Sequence, residues 1–126
     1  MTRPRSKARG NAPPASTRDR GRAREREAAR FLESKGLEIL EHNAEAGDAE
    51  IDLVARLPGD GNGGEETIVF VEVRSRSHVR HGDPAETVDS RKRRQIVRAA
   101  TAWLVAHDLW ERVAVRFDVL AVVGDL

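Results

Sequence analysis

Glu50-Ile51-Asp52-Leu53-Val54 and Val69-Phe70-Val71-Glu72-Val73-Arg74 set carboxylates and a cation into two apolar segments of strand character. Side chains alternate along a strand, so Glu50 and Asp52 are expected on one face and Ile51 and Leu53 on the other. Glu72 and Arg74 stand likewise against Val71 and Val73. Each charged pair is then about 6.6 Å apart along its strand. If the strands pair, an Asp, a Glu and a basic residue converge on one spot, suited to a hard cation such as magnesium with a bound phosphate. Charge alternating with Val and Ile also describes any sheet with one solvated face. Against that reading, Ile51, Leu53 and Val54, and Ile68 through Val71 with Val73, make both segments nearly continuous apolar runs. Such runs mark strands buried on both faces. A carboxylate buried there needs a cation beside it, so Asp52 and Glu72 call for Arg74 or a metal.

Outward from these strands, the chain falls into a simple order. Residues 1 to 18 carry Pro4, Pro13, Pro14, Gly10 and scattered arginine with nothing apolar larger than alanine after Met1, and are expected to be a disordered basic tail, with residues 19 to 126 as one domain. A helix is predicted from Arg18 to Lys35, burying a stripe of Ala28, Phe31 and Leu32 and ending at Gly36. Leu37 to Glu41 reads as a first strand, Asn43 to Asp48 as a turn, Glu50 to Arg56 as a second strand, and Thr67 to Ser75 as a third. The three make an antiparallel meander. Pro58 to Gly64 is a hairpin loop, since it lacks both a Walker lysine and the G-x-G-x-x-G order of a phosphate cradle.

Arg76 to Asp89 reads as a polar loop skirting the site. His78 and His81 lie in it, but with no cysteine or third histidine nearby a zinc site is not expected. From Asp89 to His107, Ile96, Ala99, Ala100, Trp103 and Leu104 follow the spacing of a buried helical stripe. The first turns of this helix hold Arg91, Lys92, Arg93 and Arg94. Cations there oppose the helix dipole, so helix stability does not explain them and phosphate binding does better. Val113 to Val123 closes the chain as a long strand, with Val115, Phe117 and Val119 on one face and Arg116 and Asp118 on the other. A helix crossover places that strand parallel to its partner.

Composition sets bounds. A chain of 126 residues supports one domain with a real core. It has no cysteine, which removes disulfides and thiolate metal sites and suits a reducing cytosol. No apolar run approaches the ~20 residues that cross a bilayer, and no secretory segment follows the basic start, so a soluble, cytoplasmic protein without membrane contact is expected. The net charge of +1 conceals an asymmetry: residues 1 to 20 hold six basic side chains against Asp19, a charge of +5, which leaves −4 on the remainder. Nucleic acid would therefore meet the domain locally rather than over a broad basic face. Nineteen of the 22 basic residues are arginine, which suits bidentate phosphate contact and equally reflects genome composition.

The order of elements, with Gly21, Glu25, Ala28 and Leu32 on the first helix, Gly36, Asn43, the run Glu50 to Ala55, the run Val69 to Arg74 with Arg76, and Gly82, Pro84, Lys92, Ala100 and Arg116-Phe117-Asp118 further on, resembles the YraN-type family of small bacterial proteins, a branch of the PD-(D/E)XK endonuclease-like superfamily. The resemblance covers Gly21 to Val123. It implies an α/β, restriction-endonuclease-like αβββαβ core, a mixed central sheet flanked by helices, close in layout to archaeal Holliday-junction resolvases. It implies Mg²⁺ or Mn²⁺ held by Asp52 and Glu72, with Glu50 as a further ligand or supporting carboxylate, Glu25 as the first-helix acid, and Arg74 in the position of the motif lysine. Arginine stays protonated, so Arg74 would act electrostatically on the attacking hydroxide or the phosphate rather than as a general base. Ala49 after Asp48, and Arg24, stand where the family commonly has glycine.

The function expected is metal-dependent hydrolysis of phosphodiester bonds in structured or branched DNA, with Arg76, Arg80, Lys92 and Arg93 meeting the nucleic-acid backbone. A branched substrate implies a two-fold homodimer, because symmetric incisions need two sites. Two rivals belong to other classes. One is a non-catalytic nucleic-acid-binding module on a degenerate nuclease fold, to which the acidic body of the domain is poorly suited. The other is an interaction protein that neither binds metal nor shows salt-sensitive DNA affinity. Fold alone does not choose among them.

Overall fold

The structure, a computed structural model, describes residues 17–59, 64–76 and 90–123, with side chains from residue 21 onward and without that of Arg76. Residues 1–16 of the expected tail, the centre of the Gly-rich loop, and the loop carrying His78, Arg80 and His81 fall outside the described residues, while Thr17 and Arg18, expected in the tail, open the first helix. Helix α1 (Thr17–Ser34) is followed by β1 (Glu38–Ala46), β2 (Ala49–Leu57), β3 (Thr67–Arg76), α2 (Ser90–Ala106) and β4 (Ala114–Val123). The four strands form one mixed sheet in the order β1-β2-β3-β4. β1, β2 and β3 pair antiparallel, and the crossover through α2 brings β4 parallel to β3. No described helix is long and apolar enough to cross a membrane.

The apolar runs of β2 and β3 explain the layering. Odd-numbered Leu53, Ala55, Val69 and Val71 pack with Ala28, Ala29 and Leu32 of α1 on one face. Even-numbered Val54, Ile68 and Phe70 pack with Ala99, Ala100, Trp103 and Leu104 of α2 on the other. Both strands are therefore buried on both sides, as continuous apolar runs require. Trp103 meets Phe70 edge to face at 5.7 Å, and its indole N–H is satisfied by donating to Glu41 Oε1 at 2.8 Å.

Helix α1 ends where Gly36, at φ +91°, turns the chain. Leu37 N donates to Leu32 O and Gly36 N to Glu33 O, a Schellman cap whose flanking leucines are both in the core. Phe31 departs from the expected stripe: it is 48 % exposed, and Ala29 takes the inward position instead. The buried stripe of α1 is thus made by Ala28, Ala29 and Leu32.

The first turn also differs. β1 runs on to Ala46, and the reversal is made by Gly47 and Asp48 alone. Gly47 has φ +62° at the first central position, the pattern of a two-residue II′ hairpin. Asn43-Ala44-Glu45-Ala46, expected in the turn, is strand instead, with Asn43 at φ +51°.

Candidate functional site

The antiparallel ladder between β2 and β3 runs from Leu57↔Thr67 to Leu53↔Val71 and stops there. One residue on, the Asp52 carboxylate takes over: its Oδ2 accepts the Val73 N–H at 2.8 Å, a donor that another ladder residue would otherwise have satisfied. Beyond that point β3 pairs only with β4, through Glu72↔Val119 to Arg76↔Val123. Asp52 thus sits in the fork where two buried strands part.

The fork has a local cause. Asn43 lies opposite Asp52 in the β1–β2 register, between the pairs His42↔Leu53 and Ala44↔Ile51. Its left-handed backbone, which asparagine tolerates better than most residues, interrupts the alternation of β1. β2 switches with it: Leu53 packs towards α1, while Ile51 packs towards α2 beside Val54. The expected arrangement, with Ile51 and Leu53 sharing one face below Glu50 and Asp52, is therefore corrected. The residue at the switch is Asp52 itself.

Burial pushes the Asp52 carboxyl up to about 6, and the charges of Glu72, Glu25 and Glu50 push the same way against the pull of the Val73 N–H. Glu25, Glu50 and Glu72 are therefore near enough to act on Asp52, although they come from α1, β2 and β3. They are not sealed in the core, as the expectation of buried carboxylates had it: Asp52 is intermediate, Glu50 is exposed, and among the described residues no charged side chain is fully buried.

Glu72, 15 % exposed, has cations on it. Lys92 Nζ of α2 stands 2.8 Å from its Oε2, and Arg74 Nε stands 3.7 Å from the same oxygen. Lys92 was expected as a backbone contact. Its reach to Glu72 depends on how α2 crosses the sheet, and no spacing within the sequence signals it. Arg93, one residue on, is exposed and lines a cleft of about 350 Å³ between α2 and the end of the sheet, together with Glu72, Ile96, Phe117 and Asp118. Arg80 lies outside the described residues, as does the side chain of Arg76.

Among the described residues no group of three or more His, Asp or Glu side chains forms a ready-made metal cage. Magnesium does not require one: it keeps several waters and is commonly held by one or two carboxylates together with substrate phosphate. The oxygen donors of Asp52 and Glu72 suit that mode, and a cation held there would offset the like charge of Glu72 that adds to the effect of burial on Asp52.

Fold and site together define an α/β protein with a four-stranded mixed sheet, two helices, and an acidic cluster at a strand fork. The chain belongs to the family described as Uncharacterised protein family UPF0102, whose model matches residues 24–122. It is 42 % identical to a UPF0102 protein of Myxococcus xanthus over 90 % of this chain and 83 % of the relative. With a UPF0102 protein of Beutenbergia cavernae it shares 48 % identity over 79 % of this chain and 77 % of the relative. A third, from Halorhodospira halophila, is 43 % identical over 85 % and 79 % of the two chains. The YraN-type resemblance of the sequence thus holds at the level of the family.

Proposed function

We propose that this chain is a divalent-cation-dependent phosphodiesterase with the restriction-endonuclease-like core of the PD-(D/E)XK superfamily, cutting structured or branched DNA. The observation that carries this reading is the fork at Asp52. Three further carboxylates act on an acid whose pKa is already raised by burial, an arrangement that costs stability and is expected where a charged ligand repays it.

Asp52 and Glu72 would hold Mg²⁺ or Mn²⁺, with Glu50 and Glu25 supporting. When bound, the cation supplies charge neutralisation at the phosphate and a lowered pKa for attacking water. The chain's own residues do the rest. Val73 N–H fixes the Asp52 carboxylate in the fork. Lys92 and Arg74, already beside Glu72, present positive charge where a phosphate would gain negative charge in the transition state. Arg93 at the cleft, with Arg76 and Arg80 from the adjoining segment, would hold the backbone.

A specific contact favours a second reading. Glu72 Oε2 already has Lys92 Nζ at 2.8 Å, so the carboxylate is neutralised without metal, as in a module that binds nucleic acid and does not cut it. Incubating purified protein with labelled duplex, single-stranded, flap and four-way-junction DNA separates the two. Cleavage that needs Mg²⁺ or Mn²⁺ and is lost in both Asp52→Ala and Glu72→Ala supports the phosphodiesterase. Salt-sensitive binding without cleavage supports the module, and neither activity refutes both.

A further inference from the structure

The two edges of the sheet are built differently. β1 is guarded: its register slips between Ile39 and Glu41, Asn43 has a left-handed backbone, and it carries Glu38, Glu41 and Glu45. Irregularity and charge of this kind keep an edge from pairing with another chain. β4 lacks the irregularity, and its two charges, Arg116 and Asp118, are of opposite sign. It pairs with β3 at every position from Thr67↔Ala114 to Arg76↔Val123 without a shift, and no described residue pairs with its outer side. On the face shared with α2, Val115 and Phe117 are 42 % and 48 % exposed, and Val97 of α2 is also half-exposed. Phe117 stacks on Phe70 at 5.6 Å with its other side open to the cleft that Val97 and Val119 help to line. A straight, ten-residue apolar edge of this kind is a template for strand addition.

The charges on β4 say what fits it. Arg116 and Asp118 flank Phe117 on the opposite face and are paired within the strand, Arg116 Nη2 lying 2.9 Å from Asp118 Oδ2. We propose that the occupant is a second copy of this chain, added antiparallel along β4 about a two-fold axis at Phe117. In that register Arg116 lies opposite the partner subunit's Asp118, and Asp118 opposite the partner subunit's Arg116. Val115 meets the partner subunit's Val119. Moving the axis to residue 116 sets arginine against arginine, and moving it to residue 118 sets aspartate against aspartate. Like charges directly opposite destabilise a strand pair and unlike charges stabilise it, so the flanking pair selects the Phe117 register. The interface is isologous, joins two four-stranded sheets into one, and brings both copies of Val97 and Phe117 to a common apolar face. It does not depend on whether the acidic fork is catalytic.

The test is the mass in solution of the full chain and its charge variants, by sedimentation or light scattering, with circular dichroism confirming that each variant is folded. Wild type is expected at twice the mass of the chain. Arg116→Asp alone and Asp118→Arg alone place like charges opposite each other and are expected to be monomers. Mixed together, the two variants are complementary and are expected to restore the doubled mass as a heterodimer. A wild-type monomer, variants that remain dimers, or a mixture that fails to associate would each overturn the proposal.

Discussion

β2 and β3 are two strands with two different ends. From Leu53 to Leu57 and Thr67 to Val71 they pair residue for residue, and Leu53, Val54, Ala55 and Val69 are inaccessible to solvent. From Asp52 and Glu72 onward the β2–β3 ladder is gone, and the side chains are Glu50, Asp52, Glu72 and Arg74, partly wet, with the charges of nearby glutamates acting on Asp52. The first end supplies stability. The second spends some of it to hold acids where the strands part, and it can do so because the packed end anchors both strands a few residues away. Sites whose charges oppose folding commonly trade stability for function in this way.

The largest effect that would test this division is at the packed end. Ile68→Ala removes a fully buried side chain between β3 and α2 and is expected to cost about 2–5 kcal/mol in urea denaturation. Cleavage per folded molecule should survive it. Glu72→Ala should do the reverse, lowering metal-dependent cleavage on the order of 100-fold, about 2.7 kcal/mol of barrier, while moving the unfolding midpoint little. If both variants lost stability and activity alike, the two ends would not be separable.

A smaller effect has a definite sign. The folded Asp52 carboxyl titrates near 6 against an ordinary value of 3.8, so its protonated form favours the fold. That contribution is complete below about pH 4 and is lost as pH rises through about 6. Asp52→Asn cannot ionise, and its amide oxygen can still accept the Val73 N–H. In EDTA the variant should therefore be more stable than wild type at pH 8 by on the order of 1–2 kcal/mol, allowing for solvent screening, with the gap closing below pH 4. A gap that widened towards low pH would contradict the raised pKa. Least of all is expected from Arg56→Gln at the packed end. Arg56 bonds Glu38 and Glu66 at 2.6 Å, but the side chains are partly exposed. The thermal midpoint should stay within about 2 °C of wild type.

How much of this is legible in the sequence follows from which forces are local. The double-sided burial of β2 and β3, the α2 stripe and the parallel return of β4 follow from apolar period and chain order, which the residues display directly. Glu50, Asp52 and Glu72 are named from the alternation along two strands and Glu25 from the family resemblance alone; in the fold the charges of the three glutamates add to the burial that raises the Asp52 carboxyl. The extent of β1 was not legible, because Asn43-Ala44-Glu45-Ala46 was expected in the turn and only pairing with β2 makes it strand. The broken alternation at Asp52 was hidden for the same reason. Asn43 is the one residue whose tolerance of positive φ gave a clue. Lys92 on Glu72 joins α2 to β3, and such a contact exists only once α2 has docked on the sheet.

The cation proposed for the fork is to be sought by calorimetric titration of Mg²⁺ and Mn²⁺ into the wild-type chain, with Asp52→Ala and Glu72→Ala as paired controls. Saturable binding by wild type that either substitution abolishes is the expected result. Absence of binding by wild type, or binding that both variants retain, would contradict it.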